Sequence, residues 1–336
     1  MPRGLGDATI AGPTAGSGID EFSVFESDIK DTAAALAARY PVPDVYIRGA
    51  VKFKGTKSYR GDTYIEAQGK LLLGDADPDT EFTDLNGDIG FVNLIPYPQD
   101  EAWGILEYYL EAAAFDFDKT ILSSFPESEI QFFCKQDVVC IINYSSDNGE
   151  YIGKTFCYDC TINLDGNIGG SLSNLNEEGE YSHISIAGSG IIGQPGVENS
   201  FYGVVIMPSI QESTTELLFR GSVRTYQSEP NGENDNRTHL GFALLDEVDD
   251  NNNTSFATLR IAEDFEPWDR QISVTLSGTL SAPGQYRLAS FGGVPNAPLA
   301  IHIRDDNLIT AIPLQIDVEL LPNGEGFDLV LMATQQ

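Results

Sequence analysis

Apolar residues recur at every second position over much of this chain. Val45, Ile47, Val51 and Phe53 alternate with polar or small residues, and Ile65, Ala67 and Leu71 repeat the pattern. Residues 138–144, 156–164 and 181–187 continue it. The C-terminal part is the clearest, with Leu217, Phe219 and Val223, then Ile272, Val274, Leu276 and Leu280, then Leu299, Ile301 and Ile303. Leu314, Ile316, Val318 and Leu320, and finally Phe327, Leu329 and Leu331, complete the series. Successive side chains of a strand point to opposite sides, so a period of two predicts strands with one buried and one wet face. The expected fold class is therefore mainly β, with antiparallel sheets packed as β-sandwich or jelly-roll-like domains. Asn86-Gly87, Asn148-Gly149, Asp165-Gly166, Asn231-Gly232 and Asn323-Gly324 predict hairpins, because Asn or Asp before Gly tolerates the positive φ of tight turns.

Two stretches depart from that period and predict short helices. Ser27 caps a segment in which Ile29, Ala33, Leu36, Ala37 and Tyr40 fall on one face, ended by Pro41 and Pro43. Beyond Asp100, residues 101–114 place Trp103, Leu106 and Leu110 at helical spacing beside Glu107 and Glu111. Residues 1–25, rich in Gly, Ala, Thr and Ser and containing Pro13, read as an extended N-terminal arm. Pro208 and the polar run 211–215 then suggest a boundary. The expected organisation is an arm at 1–25, a β-rich domain with two helices at 26–207 and an antiparallel sandwich at 208–336. Crossover helices are too few for a parallel sheet, and no internal repeat of useful fidelity is visible.

Charge narrows the partners. The 336 residues carry 51 Asp and Glu against 19 Lys and Arg, a formal net charge of -32. Nucleic-acid affinity comes largely from cationic side chains displacing counterions, so neither nucleic acid nor an anionic membrane is an expected partner. The start, Met1-Pro2-Arg3-Gly4-Leu5-Gly6, lacks the apolar run of a signal peptide, and no run of 18 apolar residues occurs.

Candidate chemistry is scattered. Cys134, Cys140, Cys157 and Cys160 form a cluster whose second pair has the two-residue gap of a metal knuckle. Zinc, disulfides and plain buried thiols are all open readings, and the pairing does not follow from spacing. Asp75, Asp77, Asp79, Glu81, Asp84, Asn86 and Asp88 offer hard oxygen ligands for calcium, but Thr80 and Asn86 occupy the sixth and twelfth positions and break the EF-hand pattern. His183, His239 and His302 are too dispersed for a metal or nucleophile set. No cofactor is expected.

The run FDFDKTIL at 115–122 resembles the first motif of haloacid dehalogenase-type phosphatases. That resemblance implies Asp116 as nucleophile, Asp118 as handler of the leaving-group proton and Thr120 as the motif's threonine, all on a doubly wound parallel sheet. Taken whole, the arm, the sheets and the acidity resemble structural proteins of tailed bacteriophages. The resemblance implies a virion protein made in the host cytoplasm, most simply a capsid decoration or cement protein. It would be a homo-oligomer, with a trimer favoured, contacting the major capsid protein and other virion proteins. Ser27, Ile29, Ala33, Leu36 and Tyr40 would then serve assembly. A tail tube or another tail structural protein is the alternative, and a glycan-binding module using exposed aromatics such as Trp268 or Tyr286 is a third reading.

Overall fold

The computed structural model describes residues 8–11, 23–25, 29–30, 44–53, 57–74, 84–94, 97–98, 102–110, 113–134, 140–175, 182–209, 216–226, 238–248, 254–295, 298–310, 312–324 and 326–336. Almost all of the regular structure is strand, and the one helical element among these residues is a short 3-10 turn at Trp268–Arg270.

The strands pair mostly in parallel, and their partners lie one turn of chain away. Ile142 pairs with Ile162, Ile162 with Ile186 and Ile186 with Ile206, steps of about 20 to 24 residues, the range of solenoid repeats. The chain winds as a β-solenoid. A first face carries Ala8–Ala11, Val45–Arg48, Thr63–Glu66, Ile89–Val92 and Ile121–Ser123. A second runs through Ser23–Phe25, Ala50–Phe53, Gly69–Leu73, Trp103–Leu110, Glu127–Cys134, Lys154–Tyr158, Ser171–Ser173, Glu198–Phe201 and Ser222–Thr225. A third begins at Ala114–Phe117 and continues through Cys140–Tyr144, Cys160–Ile168, Ile184–Ile192, Val204–Pro208, Thr238–Val248, Gln271–Leu280 and Ala300–Thr310. Some strands serve two faces: Thr258–Glu266 pairs at its start with Glu216–Phe219 and near its end with Ser222–Thr225. The hydrogen-bonded circuit closes on itself for that reason, although the stack is not a barrel of neighbouring hairpins.

Period-two burial is retained. Many strands send alternate side chains inward, where equivalent positions of successive turns stack: Ile47 on Ile65 on Phe91, and Val51 on Leu71 on Leu106 on Ile130, all essentially without solvent contact. One apolar core runs from Val45 to Ala333. Buried asparagines satisfy the turns. Asn199 accepts the Leu172 amide at 2.9 Å and donates to the Ser222 carbonyl at 3.1 Å, while Asn148 accepts the Ile121 amide at 2.8 Å. Aspartates do the same at another corner: Asp44, Asp62 and Asp88 accept the amides of Asp62, Asp88 and Thr120 at 3.0, 3.1 and 3.0 Å.

Several expectations are corrected. The antiparallel sandwich gives way to parallel stacking, because alternation specifies a wet and a dry side but not the direction of the neighbour. No crossover helix is needed, since the other faces of each turn carry the chain back. The helix expected at 101–114 is instead the strand Trp103–Leu110 followed by Ala114–Phe117; Trp103 faces outward while Leu106 and Leu110 are buried in the stack. Ile29 lies in a two-residue strand paired with Lys57–Ser58 rather than in a helix, and Ser27, Ala33, Leu36 and Tyr40 lie outside the described residues. Within the expected arm, Ala8–Ala11 and Ser23–Phe25 pair as strands with Val45–Arg48 and Ala50–Phe53. Asp165-Gly166 lies inside the strand Cys160–Ile168 and makes no hairpin, and among the described dipeptides only Asn323-Gly324 connects an antiparallel pair. Asn231-Gly232 lies outside the described residues. Ladders cross position 208 without a break: Val204–Pro208 pairs with both Ile184–Ile192 and Thr238–Val248.

Candidate functional site

The outward side chains of the second face form columns parallel to the solenoid axis, because parallel strands repeat every 4.7–4.9 Å or so. Tyr109, Phe133 and Tyr158 are in register on three consecutive turns. Their rings stack face to face, with centroids 4.9 and 4.6 Å apart and planes within 16°. Such a pile uses its ring faces on itself and offers only edges, so its role is to hold turns together, about 0.5–1.5 kcal/mol per pair beyond area burial.

The column resumes further along with a different geometry. Tyr202 and Tyr226 each follow the register pair Phe201 and Thr225 by one residue, and Tyr226 and Trp268 each follow the pair Arg224 and Glu266 by two. Tyr202 and Tyr226 meet edge to face at 6.4 Å and 65°. Trp268 is 43% exposed, among the most exposed large apolar residues described. Its presentation is built in. Pro267 precedes it, the Thr225 hydroxyl accepts its amide at 2.8 Å, and Asp269 and Arg270 follow with φ of 51° and 56°. Non-glycine residues in that region cost roughly 1–3 kcal/mol each, so packing around the turn must enforce it.

Beside these rings lies a fixed charge cluster. Arg224 reaches Glu266 through Nη2 at 2.9 Å and Nε at 3.0 Å, and Glu198 through Nη1 at 3.2 Å. Glu198 also accepts the Ser200 hydroxyl at 2.6 Å and the Tyr226 hydroxyl at 3.2 Å. A hydrogen bond with Tyr226, helped by the two carboxylates, raises the Arg224 pKa above its ordinary value against the opposing effect of partial burial. The exposed Trp268 ring beside oriented carboxylates and a planar guanidinium is chemistry that suits a polyhydroxylated ligand, whose C–H faces pack on rings while its hydroxyls hydrogen-bond.

The other expected site residues are placed elsewhere. Tyr286 is structural: its hydroxyl donates to the Ala282 carbonyl at 2.8 Å and its ring packs on Phe256. Asp116 lies on the outer side of the third face, accepting from Asn143 at 2.7 Å. Asp118 is 68% exposed and pairs with Lys119 at 2.9 Å, and the chain passes through Thr120 into the strand Ile121–Ser123. The motif thus bridges two strands of a solenoid, with no helix following it among the described residues. Lys119 also reaches Asp84 at 3.4 Å. Burial raises the Asp84 pKa, with Lys119 opposing. Burial alone would lower the Lys119 pKa, but Asp118 and Asp84 more than offset it and the net shift is upward. The nearby Tyr59 hydroxyl is pushed up to about 12 by burial. Asp75, Asp77 and Asp79 lie outside the described residues.

The cysteines pair as Cys134–Cys140 and Cys157–Cys160, with Cα separations of 5.8 and 6.0 Å. Among the described residues, no group of three or more His, Cys, Asp or Glu is arranged to hold a metal ion. No helix there is long and apolar enough to cross a membrane.

Sequence reasoning missed Tyr202, Tyr226, Arg224, Glu198 and Glu266. The signal was available: aromatics at 109, 133 and 158, and again at 202 and 226, recur at about 24 residues. No protein-family model matches this chain, and neither a curated protein nor a solved structure matches it significantly.

Proposed function

We propose that this chain is a structural protein of a virus particle, a stiff strut that assembles with other virion proteins. The observation that carries the reading is the continuity of the parallel stack. Core columns, asparagine and aspartate caps and cross-turn ion pairs such as Lys70 to Glu107 at 2.5 Å tie each turn to the next. The nine strands of the second face extend roughly 38 Å at the parallel-strand spacing. A rod of that kind suits a part that projects from a particle, such as a tail component, better than a thin cement layer. Mass spectrometry and electron microscopy of purified particles test this. The protein is expected in stoichiometric amounts within a rod-like appendage, and its absence from clean particles sinks the proposal.

A second reading is favoured by Tyr202, Tyr226, Trp268 and the Arg224 cluster: the projecting surface binds glycans. The wild-type chain is then expected to retain a subset of sugars on a glycan array, and Trp268→Ala to lose them without loss of melting temperature. A blank array counts against it.

A further inference from the structure

The outer side of the third face differs from the rest of the surface in charge. On either side of the buried inward residues Ile142, Ile162, Ile186 and Ile206, the outward side chains fall into two register rows. Ile141, Thr161, Ser185 and Val205 form one row, and Asn143, Asn163, Ala187 and Met207 the other. None of these eight carries a charge, in a chain whose formal net charge is -32. The outer side of the second face instead holds the ion pairs of Lys70 with Glu107, Lys154 with Glu127 and Arg224 with Glu198. Two large apolar side chains stand open on the third face, Ile141 at 41% exposure and Met207 at 39%. The second row continues through Gly241, against which Met207 lies, and Thr275. It ends in opposite charges: Asp116 stands beside Asn143 at the N-terminal end and Arg304 beside Thr275 at the C-terminal end, both exposed.

We propose that two copies of this chain pack through this face about a two-fold axis running along the strands, with their solenoid axes antiparallel. Copies with this much negative charge repel over most of their surface, so they can approach closely only where acidic side chains are missing. Small outward side chains let the two sheets stack at the usual distance of about 10 Å. The middle of the row lies between Ala187 and Met207, so an axis there sets Ala187 of each copy against Met207 of the other. The same operation places Asp116 of each copy opposite Arg304 of the other, at both ends of the contact. A parallel arrangement would instead oppose Asp116 to Asp116 and Arg304 to Arg304. The size is also sufficient. Eight strands span about 34 Å, and the five residues of Cys140–Tyr144 or Val204–Pro208 about 17 Å. That footprint, roughly 600 Å² from each copy and about 1,200 Å² in all, reaches the lower end of stable interfaces. The inference does not rest on the virion reading.

The test is the mass of the purified full chain by light scattering over a concentration series, with circular dichroism recorded in parallel. Twice the chain mass is expected at micromolar concentration, and a monomer or a trimer there overturns the proposal. Met207→Glu brings a carboxylate from each copy beside the axis and is expected to weaken the dimer at least about tenfold with an unchanged β signal. Asp116→Arg sets like charges opposite each other twice by symmetry and should weaken it about tenfold. The exchange Asp116→Arg/Arg304→Asp should restore the dimer, an outcome that neither damage to the fold nor contact through another face produces. If Met207→Glu misfolds, the exchange decides alone. A dimer unmoved by a folded Met207→Glu or by Asp116→Arg, or one that the exchange fails to restore, overturns the proposal.

Discussion

The middle of the solenoid and its C-terminal end use the same alternation of apolar and polar residues and bury it differently. In Ile184–Ile192 and Val204–Pro208 the inward side chains Ile184, Ile186, Ile192, Val204 and Ile206 are at most 2% exposed, because turns lie above and below them. In Leu314–Pro322 only Val318 is buried, while Leu314, Ile316 and Leu320 stay partly exposed. Here the direction also changes: Leu314–Pro322 pairs antiparallel with Phe327–Gln335, which pairs antiparallel with Gly284–Gly293. A parallel stack needs a neighbouring turn on each side to complete its core, and the last layer has one on only one side.

Glycines give the largest expected contrast between these regions. Gly188 has φ of 106°, and a Cβ there would meet the Leu164 carbonyl oxygen of the turn below at 2.0 Å. Gly324 has φ of 94° in the hairpin, with nothing within 4 Å of its would-be Cβ. Gly188→Ala is expected to cost about 3 kcal/mol or more, strain and backbone clash together, and Gly324→Ala about 1 kcal/mol. Equal losses in denaturant unfolding would erase the contrast.

Cavity formation is the next step down. Ile162→Ala should cost about 2–5 kcal/mol, whereas Ile316→Ala, at the partly exposed end, should cost about 1 kcal/mol. Thermal melts of the two variants check the ranking. Asn199→Ala should cost about 1–3 kcal/mol by stranding the buried Leu172 amide, while the outer Asn163, bonded to Asn143 at 3.2 Å, should tolerate alanine within about 0.5 kcal/mol.

The smallest effect is a pH dependence seated in the N-terminal turns. Burial raises the pKa of Asp84 and Glu107 despite their partners Lys119 and Lys70. Groups whose folded pKa is raised contribute stability that is fully present below their unfolded pKa and lost as pH rises through the folded one. The melting temperature should therefore rise as the pH is lowered from neutrality toward the ordinary carboxylate range, about pH 4, aided by lower repulsion among the acidic side chains. Asp84→Asn should flatten the slope, and an unchanged slope would assign it to surface repulsion alone.

Inner positions such as Ile47, Ile65, Ile272 and Val274 were legible from alternation, since a strand's two sides are set by chain geometry whatever lies beside it. Pairing direction was not legible. Register partners Val45, Thr63, Ile89 and Ile121 are separated by unequal steps of about 18, 26 and 32 residues, so insertions at the corners obscure the repeat. Asn323-Gly324 worked as a hairpin signal because its strands meet antiparallel, whereas Asp165-Gly166 lies within a longer strand. The candidate ligand surface was half legible: Trp268 stood out as an aromatic, but Arg224, Glu198 and Glu266 converge only across three turns.

By itself the amino-acid sequence determined that the chain is mostly strand, which side of many strands is dry and that the molecule carries a large negative charge, since these depend on composition and on neighbours in the chain. Only the tertiary structure decided that the strands stack in parallel as a solenoid, that Cys140 lies beside Cys160 and that Tyr202, Tyr226 and Trp268 align. Each of those depends on which residues lie one turn away, a distance that varying corner lengths keep from being read along the chain.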